Sequence, residues 1–182
     1  MNIPREQALS LLHEHVASDS LRRHCYAVEA VMRAYAKKFS EDEEQWGVVG
    51  LVHDVDYEQF PDKHPFTAAT WLKEKSYPQD MIDAVLGHAT YSGVERTSKM
   101  AQCLFAVDEL CGFIMACAHV RPEKLVGMKP SSVKKKLKDK RFAAAINRNE
   151  IAQAIEEFNI DPDEHIQFVI ASLQPIASHL GF

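Results

Sequence analysis

Four residues stand out for the chemistry their side chains can do: His24, His53, Asp54 and Asp108. Each falls in an apolar stretch. His53 and Asp54 close the segment GLVHDVDY, which follows Trp46, Val48, Val49, Leu51 and Val52. Buried carboxylates are uncommon unless they are paired or coordinate a cation. A single His-Asp pair at a helix end has an ordinary reading as polar groups reaching water. Four such groups on three separate apolar helices call for another. An α bundle can bring them to one point in its core, and neutral imidazoles with carboxylates suit a divalent transition metal. Neighbouring helical residues point about 100° apart. His53 and Asp54 can therefore share an ion only if it sits beside the helix end.

The elements that must position these residues read as helices throughout. Ile3, Ala8, Leu11 and Leu12 fit an opening amphipathic helix with Pro4 in its first turn. Ser18 or Asp19 caps a second, with Leu21, His24, Val28, Val31, Met32 and Tyr35 on one face. Ser40 with Glu43 reads as a capping box for the helix ending at His53-Asp54. Tyr57 to His64 is a loop, and helices are expected from about Pro65 to Lys75 and from Pro78 to near His88. A second loop spans Tyr91 to Thr97. A long helix runs from about Ser98 to His119. Asn147 with Glu150, and Asp161 with Pro162 and Glu164, mark two further helix starts. No stretch shows sustained strand alternation. The expectation is one all-α domain over residues 1–182, with the site core at about 20–120 and a helical extension at about 121–182.

Bulk properties narrow the function. At 182 residues with 46% apolar and 26% charged side chains, the chain is an ordinary globular mix. A formal charge of -5 argues against nucleic acid as the partner of the whole molecule. Cys25, Cys103, Cys111 and Cys117 show no zinc-type spacing and read as reduced thiols. No signal peptide is evident, and the apolar run Leu110 to Val120 is too short to span a bilayer. These features point to a cytoplasmic location with no membrane partner.

The ordered set H…HD…D, carried by RRHCYAVEAV, GLVHDVDYE and LFAVDEL, resembles the HD phosphohydrolase superfamily. DKHPFTAA, with His64, and AVLGHAT, with His88, are similar to the two-metal version of that family. The variant HDVDYE with the basic tail looks like a bacterial group of predicted HD hydrolases. One departure is Asp56, where many relatives carry a small residue, typically glycine. Taken alone, His64 reads as a solvent-exposed cap and His88 as a histidine at a helix C-terminus.

The resemblance implies a compact multi-helix HD-domain bundle and hydrolysis of phosphate esters by metal-activated water. His24, His53, Asp54 and Asp108 would hold one ion, and Asp54 would bridge to a second held by His64 and His88. Iron, manganese, zinc, nickel and cobalt all suit these ligands, and either one or two ions fit the family. The implied substrate is a small phosphorylated molecule such as a nucleotide, attacked as a phosphomonoester or phosphodiester. A non-catalytic nucleotide-binding regulatory module is the alternative. Asp56 and Glu58 are candidates for orienting water or protonating the leaving group, although a surface-loop acid is the plainer reading of each. Arg96, Lys99 and Arg121 are candidate substrate contacts. The run Lys129, Lys134, Lys135, Lys136, Lys138, Lys140 and Arg141 reads as a solvated face, or else as an overhang gathering polyphosphate or nucleic acid.

Overall fold

The computed structural model describes residues 2–182. They form nine α-helices: α1 Arg5–His15, α2 Asp19–Phe39, α3 Glu43–Val52, α4 Phe66–Glu74, α5 Gln79–Gly87, α6 Lys99–His119, α7 Pro130–Leu137, α8 Arg148–Glu157 and α9 Pro162–Leu173. Short 3-10 turns lie at Pro61–Lys63 and Thr90–Ser92, and a longer one, Gln174–Leu180, closes the chain. There is no strand among the described residues.

The two 21-residue helices, α2 and α6, form the centre of the bundle. Ser18 caps α2 by accepting from the Leu21 amide, and Ser98 caps α6 by accepting from the Ala101 amide. The start of α3 differs from expectation. Ser40 takes a left-handed conformation at φ 59° and terminates α2, so Asp42 caps α3 by accepting from the amides of Glu44 and Gln45. The preceding helix had claimed the serine.

Helix α3 is nearly buried all round, and it lies tightly on α2. A side chain at Gly50 would meet the Glu29 backbone nitrogen at 2.9 Å, so only glycine permits this approach. The closeness brings His53, the C-terminal cap of α3, to the His24 turn of α2. Across the bundle, His165 of α9 is fully buried. Its Nδ1 lies 2.5 Å from the Tyr35 hydroxyl on α2, and its Nε2 lies 2.9 Å from the Ala106 carbonyl on α6. One imidazole thus ties α9 to both central helices. With Nε2–H donating to the carbonyl, Nδ1 accepts from tyrosine and the ring is neutral. Burial pushes its pKa down to about 4.

The C-terminal third joins the same core. Ile151, Ile166, Val169, Ile170 and Leu173 pack in one cluster with the side chains of α2, α3 and α6. Helix α6 as a whole is long and apolar enough to cross a membrane, which the shorter run Leu110 to Val120 did not suggest. Its most apolar window is 72% buried within the protein, so packing against neighbouring helices accounts for that hydropathy. All four cysteines are buried and unpaired.

Candidate metal centre

Six of the expected residues meet at one end of the bundle. Helix α2 supplies His24, the end of α3 supplies His53 and Asp54, and α6 supplies Asp108. His64 precedes α4 and His88 caps α5. They fall into two groups of three, His24–His53–Asp108 and Asp54–His64–His88, each able to hold an ion.

In the first group, His24 Nε2 lies 2.9 Å from Asp108 Oδ1 and 3.2 Å from His53 Nε2, and His53 Nε2 lies 3.4 Å from Asp108 Oδ1. In the second, His64 Nε2 and His88 Nε2 are 3.1 Å apart, and each is 3.5 Å from Asp54 Oδ1. Ligand atoms bound at about 2.0–2.1 Å to one ion stand about 2.8–3.4 Å from each other, from neighbouring octahedral to tetrahedral positions. Both groups have that spacing.

Asp54 joins the groups. Its Oδ1 faces His64 and His88, while its Oδ2 lies 3.4 Å from His53 Nε2 and 3.7 Å from His24 Nε2. The turn that follows α3 lets adjacent residues serve the same centre, since His53 is already the helix cap.

The far nitrogen of three rings is occupied. His53 Nδ1 donates to the Gly50 carbonyl at 2.8 Å, and His88 Nδ1 donates to the Val85 carbonyl. His64 Nδ1 donates to Asp56 Oδ1 at 2.6 Å. In the neutral rings these bonds leave each Nε2 as a bare lone pair. Lone pairs of His64 and His88 facing one another across 3.1 Å repel, unless a cation accepts both. The donor set therefore fits a metal ion on grounds of chemistry as well as spacing.

With no cation present, the electrostatics favour a proton on His53 in its place. Burial alone would lower the His53 pKa, but the carboxylates of Asp54 and Asp108 outweigh it and raise the value well above the usual range. Burial likewise opposes ionisation of Asp54 and Asp108, yet the facing histidines hold both well below an ordinary carboxylate. Anionic oxygens are thus retained in the core, where a cation would find them. Beside this centre, burial pushes the Cys25 thiol up to about 12, consistent with packing rather than nucleophilic attack.

Asp56 is fully buried, contrary to the surface-loop expectation. Besides orienting His64, it accepts from the Ala68 amide at 2.8 Å through Oδ2. It stands behind His64 and does not line the cleft. The segment HDVDY turns its second aspartate inward, a role that glycine could not fill. Glu58 is also committed, since its Oε2 accepts from the amides of Ala17 and Ser18 at the start of α2.

The candidate substrate contacts do not reach the centre. Arg96 forms a paired bond with Glu157 at 2.7 and 2.9 Å, donates to the Gly87 carbonyl, and lies over the Phe105 ring. Lys99 lies over the Phe39 ring. Arg121 donates to the carbonyls of Lys124 and Val126. The lysine run begins just before α7 at Lys129 and continues along and beyond that helix, which packs on α9 and α6. There Lys134 pairs with Asp163, and Lys135 and Lys136 border a separate groove. No residue of that run lines the metal cleft.

The cleft that opens from the centre holds about 340 Å³. Its walls include residues that spacing alone did not single out: Tyr57, Tyr91, Glu109, Ile146 and Glu150. Asn147 and Glu150 were legible as a capping pair, but only half of it forms. Asn147 accepts from the Asn149 and Glu150 amides, while the Glu150 carboxylate turns to the Thr90 hydroxyl at 3.0 Å. Glu109 accepts from the Asn147 amide. Burial and then the neighbouring Asp108 charge push the Glu109 carboxyl up to about 7.

Fold and site together define an all-α protein with a His/Asp centre built for divalent cations. Residues 21–112 match the family model described as HD domain, and the chain belongs to that family. Membership brings with it divalent-metal binding and, in general, metal-dependent hydrolase chemistry. No curated protein and no solved structure matches the chain.

Proposed function

We propose that this protein is a metal-dependent phosphohydrolase of small phosphorylated molecules, nucleotides among the candidates, using His24, His53, Asp54, His64, His88 and Asp108 as ligands. The observation that carries the reading is Asp54, whose two oxygens face two separate histidine groups at the floor of an open cleft. Two divalent ions held this way supply Lewis acidity for water and charge for the phosphoryl oxygens. The protein's own part is positional. Gly50, Val85 and Asp56 fix three imidazoles with Nε2 inward, as outer partners of metal ligands do. The aromatic rings of Tyr57 and Tyr91 border the cleft where the ester group would lie. A soluble cytoplasmic setting and a small-molecule partner are part of the same proposal.

The test joins elemental analysis of untagged protein with a screen of phosphomonoesters, cyclic diesters and dinucleoside polyphosphates. The expected result is bound transition metal and metal-dependent phosphate release. His53→Ala and Asp54→Ala should each abolish release while circular dichroism stays helical. Metal-loaded protein that binds nucleotides yet releases no phosphate from any ester would instead identify a regulatory module.

A further inference from the structure

The cleft walls carry a charge pattern that bears on substrate class. Apart from the metal-facing histidines, no basic side chain lines the cleft. The arginines nearest in sequence to its lining residues are directed elsewhere: Arg22 donates to the Val16 carbonyl and Arg23 lies against Gly181. Arg96 is held by Glu157, and Arg148 donates to the carbonyls of Asp139, Phe142, Ala143 and Ile146. Where a site for polyanions would place such groups, this one presents Glu150 and Glu109, with Tyr57 and Tyr91 alongside. Glu150 comes from α8, outside the matched family segment, and is held to Thr90, two residues from His88. The wall is anchored at both ends, because Asn147, just before α8, is held to Glu109 beside Asp108.

We infer that the cleft selects esters with a single phosphate whose leaving group is neutral or amine-bearing, and that Glu150 sets this preference against anionic leaving groups. The inference rests on the hydrolase reading. The bound cations take the phosphate, and beyond them the substrate meets carboxylates and phenols. An ammonium or hydroxyl donor is satisfied there. A second phosphate or a carboxylate meets the like charge of Glu150 at the cleft wall.

Three monoesters of similar size separate the cases: phosphoethanolamine, glycerol 3-phosphate and 3-phosphoglycerate, whose leaving groups are cationic, neutral and anionic. The manganese-loaded full chain is assayed for kcat/KM, and binding of each ester is read by calorimetry at fixed ionic strength. The first two should exceed the third by roughly tenfold or more in both measurements. Glu150→Gln keeps an acceptor for Thr90 but removes the charge. It should move the series in opposite directions, with the glycerate gaining about three- to tenfold and the ethanolamine ester losing a similar factor. A wild-type preference for the anionic ester, or a Glu150→Gln ratio equal to wild type, would overturn the inference. Hydrolysis of other esters in the wider screen but of none of these three would overturn the single-phosphate preference; if no ester in either set is hydrolysed, the hydrolase reading fails, and the calorimetric order still decides the charge preference.

Discussion

His64 and His88 point their Nε2 atoms at each other across 3.1 Å, while each Nδ1 is engaged in a hydrogen bond on the far side. When both rings are neutral, this arrangement leaves no proton between the two nitrogens. A metal cation between the rings would satisfy both lone pairs at once. Two ions per chain are therefore expected by elemental analysis, falling by about one in His64→Ala or His88→Ala. Chelation should lower the melting temperature, and manganese at a hundredfold excess over its dissociation constant should restore about 2.7 kcal/mol per site. Unchanged stoichiometry in both variants would return these histidines to a purely structural role.

Asp56 acts through His64. Asp56→Asn is nearly the same shape and keeps one acceptor, but it loses the charge that makes His64 a stronger donor to metal. The affinity for one ion should fall about 10–100-fold, with the other ion hardly affected. Competitive titration with a metal-responsive dye measures both constants. Equal weakening of both sites would mean that Asp56 supports the local fold instead.

Arg96 holds α8 to the end of α5 through Glu157 and the Gly87 carbonyl. Arg96→Ala should thus cost stability, on the order of 1–3 kcal/mol. Its effect on KM should be small beside that of Glu150→Gln. Denaturant titration and steady-state kinetics separate the two. A large KM increase at unchanged stability would restore Arg96 as a substrate contact.

His165 makes stability depend on pH. Its pKa is near 4 when folded, against an ordinary value of 6.5, because burial disfavours the charged ring. Between these values the unfolded chain binds the extra proton and the folded one does not. The contribution is complete above about pH 6.5 and is lost as pH falls toward 4, by on the order of 3 kcal/mol. His165→Gln removes the titrating group, so its stability should fall less steeply across that window. Parallel pH profiles for the two proteins would exclude His165 as the source.

Much of this organisation was legible before any coordinates. The apolar stripe through Leu21, His24, Val28 and Tyr35, the caps at Ser18, Asn147 and Asp161, and the apolar run leading to His53 are short-range signals. They depend on helical periodicity and on unsatisfied amides at helix starts, both written within a few residues. The same signals failed where two local claims competed. Ser40 could cap α3 or terminate α2, and the longer helix took it.

What sequence determined here is the helical class and the placing of imidazoles and carboxylates on faces that must be buried. Tertiary structure alone decided which way those groups point and what shares their space. It turned Asp56 inward to His64, drew Arg96 away to Glu157, and brought Glu150 from the extension to the cleft wall. Each of those outcomes joins groups separated along the chain, and their pairing is set by how whole helices pack, as at the Gly50 contact with α2. Periodicity within one helix carries no information about that distance.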